Sequence, residues 1–148
     1  MKKSVLTVAM MLTIALTTAF ANDNTEVSKK AKQSFNTNFN SASSVQWQQE
    51  TNFAKATFTM NNQVMNAYYN DNGDLVAITR NILSNQLPIN LMAGIKKDYS
   101  KHWISDLFEI AADNETSYYV TLESADETIV LKSSDSNTWS VYKKTKRA

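Results

Sequence analysis

The chain contains no cysteine. That excludes a disulfide framework, a thiolate metal site and a cysteine nucleophile. His102 is the one histidine, so a multi-histidine metal site within one chain is excluded too. Two glycines, Gly73 and Gly94, are too few for the usual phosphate-cradling loops or for a G-x-S-x-G nucleophile elbow. The formal net charge over 148 residues is only +1, which lacks the basic excess of a nucleic-acid binder. What is present is ordinary globular chemistry, with 43% hydrophobic and 20% charged residues.

The clearest signal is at the start. Lys2 and Lys3 form a basic region, Ser4 to Thr18 an uncharged and largely apolar one, and Ala19-Phe20-Ala21 a small-x-small cleavage signal. The pattern predicts a secretory signal peptide over residues 1–21, cut after Ala21, with Asn22 first in the mature chain. A membrane span needs about 20 apolar residues, and this run is shorter and broken by threonines. A lipoprotein would need a cysteine here. No later stretch is apolar enough to span a membrane, so a periplasmic or secreted protein is expected. Without residues 1–21, 127 residues remain, with 13 basic against 14 acidic side chains. That suits one domain over 22–148. Lys143, Lys144, Lys146 and Arg147 close the chain as a tail expected to be solvated and frayed.

From Glu26 to Phe39, Val27, Ala31, Phe35 and Phe39 recur every four residues, which predicts a helix. Alternating segments follow from Val45, at Phe53–Met60, Gln63–Asn70 and Asp74–Ile82. Asn61-Asn62 suits a tight hairpin turn, and Asp71-Asn72-Gly73 a three-residue one. Pro88 to Ser100 carries Leu91, Ile95 and Tyr99 at helical spacing. Alternation returns at Trp103–Ala112, Tyr118–Glu123, Glu127–Ser133 and Thr138–Tyr142. The order helix, four strands, helix, four strands suggests an internal repeat, about 26–86 and 87–143. At an offset of 64, Phe58 matches Leu122, Met65 matches Ile129, and Leu75 matches Trp139. The expected fold is α+β, a tandem repeat of a helix plus a four-stranded antiparallel unit. Together the units would form one antiparallel sheet with both helices on one face.

Hairpin geometry then sorts the residues. Ala56, Phe58, Met65, Ala67, Leu75 and Ala77 fall on the helix-covered face with Val120, Leu122, Ile129, Leu131, Trp139 and Val141. Trp139 is therefore expected to be largely buried. The open face takes Lys55, Thr57, Asn66, Tyr68, Val76, Ile78, Tyr119, Thr121, Val130, Lys132 and Tyr142.

Phe35-x3-Phe39, Val45-x-Trp47, Ala67-Tyr68-Tyr69-Asn70-x2-Gly73-x-Leu75, and Leu87-Pro88 opening a helix form a recognisable set. Tyr99 and the second set of strands follow. This resembles the PepSY-like, β-lactamase-inhibitor-like proteins exported by Bacteroidota-type bacteria. The resemblance spans essentially the whole mature chain and rests on structural signatures. It implies likeness to tandem helix-plus-sheet inhibitors that bind an enzyme with the open sheet face, and it carries no functional residues over.

His102 is flanked by no motif that would make it a base or ligand. Asn70-Asp71-Asn72-Gly73-Asp74 is oxygen-rich, but Tyr68 and Thr79 stand where a calcium loop needs its first acid and its late glutamate. Glu109 and Asp113 are carboxylates at close spacing, with nothing to place them in a pocket. No catalytic residue, metal or cofactor is expected. The leading reading is an exported binding or inhibitor-like module contacting an unknown envelope or secreted protein. Its candidate contact residues are Tyr68, Tyr119 and Tyr142, with Lys55 and Lys132 beside them. A carrier of a small or peptide ligand would instead need a closed apolar pocket. A hydrolase would need polar groups converging around His102.

Overall fold

The computed structural model describes residues 26–147; the expected leader and its cleavage site at Ala21 lie outside them. The elements run α1 (Lys29–Asn38), β1 (Ser43–Gln49), β2 (Ala54–Met60), β3 (Gln63–Tyr69), β4 (Leu75–Asn81), a 3-10 turn (Ser84–Gln86), α2 (Ile89–Asp98), β5 (Trp103–Ala112), β6 (Glu115–Glu123), β7 (Glu127–Ser133) and β8 (Ser140–Lys146). All eight strands form one antiparallel sheet in sequence order, β1 to β8.

Local chemistry explains the turns and caps. Ser28 caps α1, its hydroxyl accepting from the Ala31 amide at 3.1 Å. Asn61 and Asn62 both take positive φ, 51° and 61°, as the two-residue hairpin requires. Asp113 and Asn114 repeat the device between β5 and β6, with φ of 51° and 63°. The Asn70 side chain closes the next turn, accepting from the amides of Asn72 and Asp74.

The registers place Phe58 opposite Met65, Ala56 opposite Ala67, and Tyr69 opposite Leu75, as hairpin geometry anticipates. The pairing then slips. Tyr68 faces Ala77 and Ala67 faces Ile78, so Val76 is one residue too many on β4. This corrects the expected faces. Ile78 packs against the helix-side core, and Ala77 turns to the other side with Tyr68. A second bulge lies in β8. Leu131 pairs with Val141 and Val130 with Lys143, which leaves Tyr142 as the extra residue.

Two hydrophobic cores sit on the helix side. Under α1, Phe35 and Phe39 meet Ala56, Phe58, Ala67 and Tyr69, with Trp47 packed alongside. Under α2 the contents are aliphatic: Leu91, Ile95, Leu107, Val120, Leu122, Ile129 and Leu131. Trp139 is half-buried rather than enclosed. Its indole N–H donates to the Leu91 carbonyl at 2.8 Å, and its ring lies against Gly94. It packs at the margin of this core, just before the chain re-enters the sheet as β8. Between the two cores, Arg80 on β4 is bound to Glu109 on β5 and to Gln63 at 3.0 Å.

The basic tail is not frayed. Ser140–Lys146 is the last strand, with Lys144 2.7 Å from Glu127 and Arg147 2.7 Å from Glu123. Alternating pairing with β7 and these carboxylates outweigh the like charge that composition emphasises.

Asp135 organises the turn into β8. It accepts from the amides of Thr138 (2.8 Å) and Asn137 (2.9 Å), and from the hydroxyls of Thr138 and Ser133. These bonds, the Thr138 amide first, hold its carboxyl well below the ordinary aspartate range of about 3.9. Because the folded value is depressed, its stabilisation is present above that range and is lost as pH falls toward the folded value. Urea titrations from pH 5 to pH 2 should show the stability gap between wild type and Asp135→Asn closing as pH drops. A gap that stays constant would deny the carboxylate this role.

Candidate functional site

The face away from the helices is uncovered among the described residues. The registers assign it Lys55, Thr57, Asn66, Tyr68, Ala77, Thr79, Phe108, Tyr119 and Lys132. A polar ladder crosses its first half. The Thr57 hydroxyl donates to the Asn66 side-chain Oδ1 at 2.8 Å, and the Asn66 side-chain Nδ2 donates to the Thr79 hydroxyl at 3.2 Å. Tyr68, Ala77, Thr79 and Phe108 are nevertheless buried, at 7–8% exposure. With no layer above them, only side chains of the same face can shield them.

The five candidate residues divide into two groups. Tyr68 pairs with Lys55 across β2 and β3 and meets the Phe53 ring edge-on at 5.5 Å. Burial pushes the Tyr68 hydroxyl up from its ordinary value, more than the Thr79 hydrogen bond draws it down. Tyr68 is therefore a lining residue, not the exposed contact expected of it. Tyr119 on β6, Lys132 on β7 and Tyr142 on β8 come together three to five strands from Tyr68, the nearest of them about 14 Å across the sheet. Tyr119 stacks on Phe108 with centroids 5.2 Å apart and planes at 3°. Tyr142 meets Tyr119 edge-on at 5.6 Å and is 49% exposed. The Lys132 ammonium lies 5.6 Å from the Tyr119 ring centroid, a cation–π distance.

Sequence reasoning missed three members of this face. Phe53 sits in a connecting loop. Phe108 lies on β5, whose bulge between Ile104 and Asp106 defeats simple alternation. Lys143 is the third. Alternation opposes it to Tyr142, yet the β8 bulge gives the open face both: Tyr142 touches Tyr119, and Lys143 pairs with the open-face Val130. No sequence signal for that bulge is evident.

Most of the remaining polar groups near this chemistry have structural partners. His102 Nε2 lies 3.3 Å from Glu127, whose carboxyl is held below its usual range first by the Lys144 bond. The His102 Nδ1 is buried without a hydrogen-bond partner. A shallow cleft of about 610 Å³ beside it is lined by Met92, Ile95, Lys96, Tyr99 and Ser84 among others. Glu109 is committed to Arg80 on the helix side, and Asp113 stands in an exposed turn, so the two carboxylates do not act as a pair. Among the described residues no cluster of histidine, aspartate or glutamate could hold a metal ion. No described helix is long and apolar enough to cross a membrane.

No family model matches the chain, and no curated protein matches it in sequence. Solved structures do match. A BLIP-like protein from Bacteroides fragilis aligns at a TM-score of 0.70 and 15% identity, over 82% of this chain and 86% of its own. A DUF2874 family protein from Bacteroides uniformis aligns at 0.72 and 10% identity, over 82% and 90%. A proposed periplasmic protein from Bacteroides eggerthii aligns at 0.72 and 9% identity, over 82% and 89%. At these identities the likeness shows a shared fold. None of the three is named for a catalytic activity.

Proposed function

We propose that the protein is an exported, non-catalytic binding module that contacts another envelope or secreted protein through its open sheet face. The observation that carries this is the aromatic corner of Phe108, Tyr119 and Tyr142 with Lys132, on a face that no described element covers. Tyrosine offers large contact area with few rotatable bonds, which suits a contact surface. The BLIP-like name of one structural neighbour and the periplasmic description of another support the same reading. So does the signal-like sequence of residues 1–21. The matched residues at offset 64 support two helix-plus-four-strand repeats, about 26–86 and 87–143, within one PepSY-like domain over 22–148.

The test is affinity capture from an envelope extract, followed by titration of the captured partner. Tyr119→Ser combined with Tyr142→Ser should leave the fold intact and weaken binding well over tenfold, as loss of two hot spots would. Tyr68 stays in place, because its burial would mix stability with binding. Unchanged affinity in the folded double variant would reject this corner as the site.

A further inference from the structure

The open-face reading leaves the partner's chemistry unnamed, and the distribution of charge on that face supplies it. The β8 bulge brings Lys143 to the same face as Lys132, beside Tyr142 and Tyr119. Among the described residues neither ammonium is ion-paired. The carboxylates of this face are engaged or distant. Asp106 accepts from the Asn81 amide at 2.9 Å and from the Leu107 backbone amide at 3.0 Å. Glu123 is bound to Arg147. Glu115 stands at the far end of β6, about 13 Å along the strand from Tyr119. Lys144, by contrast, points to the helix side, where Glu127 neutralises it. The corner around Lys55 lacks this excess, because Gln48, the residue opposite Lys55, donates to the Glu50 carboxylate at 2.6 Å and so holds a negative charge there.

Resting on that reading, we infer that Lys132, Lys143, Tyr119 and Tyr142 form a carboxylate-recognition corner, whose occupant is an acidic segment of a protein partner. Two unpaired ammonium groups attract carboxylates at long range and orient the encounter. The Tyr119 and Tyr142 rings provide the apolar wall against which the segment's side-chain stems and backbone lie. Lys132 is already drawn over the Tyr119 ring, which restrains a side chain that would otherwise lose more rotamer freedom on binding.

The experiment follows backbone and side-chain resonances of the isotopically labelled exported protein during titration with a hexaglutamate peptide. Shifts should concentrate at Tyr119, Lys132, Tyr142 and Lys143. Hexaglutamine should bind at least tenfold more weakly. So should hexaglutamate against Lys132→Gln combined with Lys143→Gln, whose thermal unfolding should match wild type. Equal binding by that variant, or shifts centred on Lys29, Lys30, Lys96 and Lys97, would overturn the assignment. Binding of polygalacturonate with none of hexaglutamate would overturn the protein partner in favour of an acidic sugar. With a captured partner in hand, the two readings separate. Loss of binding in the tyrosine double variant with full binding in the lysine double variant keeps the open face and rejects the acidic segment.

Discussion

Replacing Phe35 by alanine should cost the protein about 3–5 kcal/mol, the usual range for removing a buried aromatic ring. Phe35 is 3% exposed on the inner side of α1. Its ring meets Phe58 at 5.0 Å and 82°, Trp47 at 5.4 Å and 72°, Phe39 at 5.2 Å, and Tyr69 at 6.5 Å. Two of these contacts are close edge-to-face arrangements, which add to the area buried. Tyr69 and Phe58 are held by neighbouring strands, so they cannot swing in to fill the void. Domains of this size are stable by only about 5–15 kcal/mol, so the loss is a large part of the total. Urea unfolding followed by circular dichroism would measure it, with an unchanged slope showing that the folded and unfolded states are otherwise preserved. A loss under 1 kcal/mol would mean that the cluster collapses around the gap and that Phe35 does not anchor α1. The open-face corner lies on the other side of the sheet, so binding by the surviving folded fraction should persist.

Phe35 was legible because helix spacing and strand alternation are strong local patterns. Phe35 and Phe39 fall four apart, and Phe58 and Met65 face each other across a turn whose two asparagines accept positive φ. Such patterns recover the element order, the β2–β3 register and much of both cores, although Val141, which alternation assigns to the covered face, is 58% exposed. They fail where one residue is inserted into a ladder. The extra Val76 exchanges Ala77 and Ile78 between faces, because strand side chains alternate with period two. The extra Tyr142 brings Lys143 beside the tyrosine corner. A bulge costs little and depends on how two strands fit together, so it leaves no dependable local mark. The candidate site was therefore half legible. Tyr119, Tyr142 and Lys132 follow from alternation and come together. Alternation also puts Tyr68 on the open face, but its burial depends on ring contact with Phe53, which period two assigns to the same face without showing that it packs against Tyr68. Alternation reaches the last strand only as far as Tyr142; its second half, 143–146, is hidden by lysines whose charge suggests a solvated tail until Glu123 and Glu127 are seen opposite.

Gly73→Ala should destabilise the protein by about 2–5 kcal/mol, combining backbone strain with overpacking. Gly73 has φ of +84°, a left-handed conformation that alanine adopts only at a cost. The second effect is steric and comes from a different element. A Cβ at Gly73 would lie 2.6 Å from the Lys30 Cβ, 2.8 Å from its carbonyl carbon and 3.0 Å from the Ala31 amide nitrogen. Those are atoms of the α1 backbone and its first side-chain carbon, so no flexible tip can move aside. The helix would have to lift from the β3–β4 turn, and Ala31, fully buried beneath it, would lose its contacts. Gly94 is the useful control. It lies inside α2 with no positive φ, and a Cβ there would meet only the Trp139 ring edge at 3.3 Å. Alanine at 94 gains about 1 kcal/mol of helix propensity to set against that contact, so its net effect should be small. Asparagine at 73 separates the two causes, since it tolerates left-handed φ but carries the same Cβ. If Gly73→Asn restores wild-type stability in thermal unfolding, φ alone required the glycine. If it stays as costly as Gly73→Ala, the close approach of α1 to the turn is what fixes the residue.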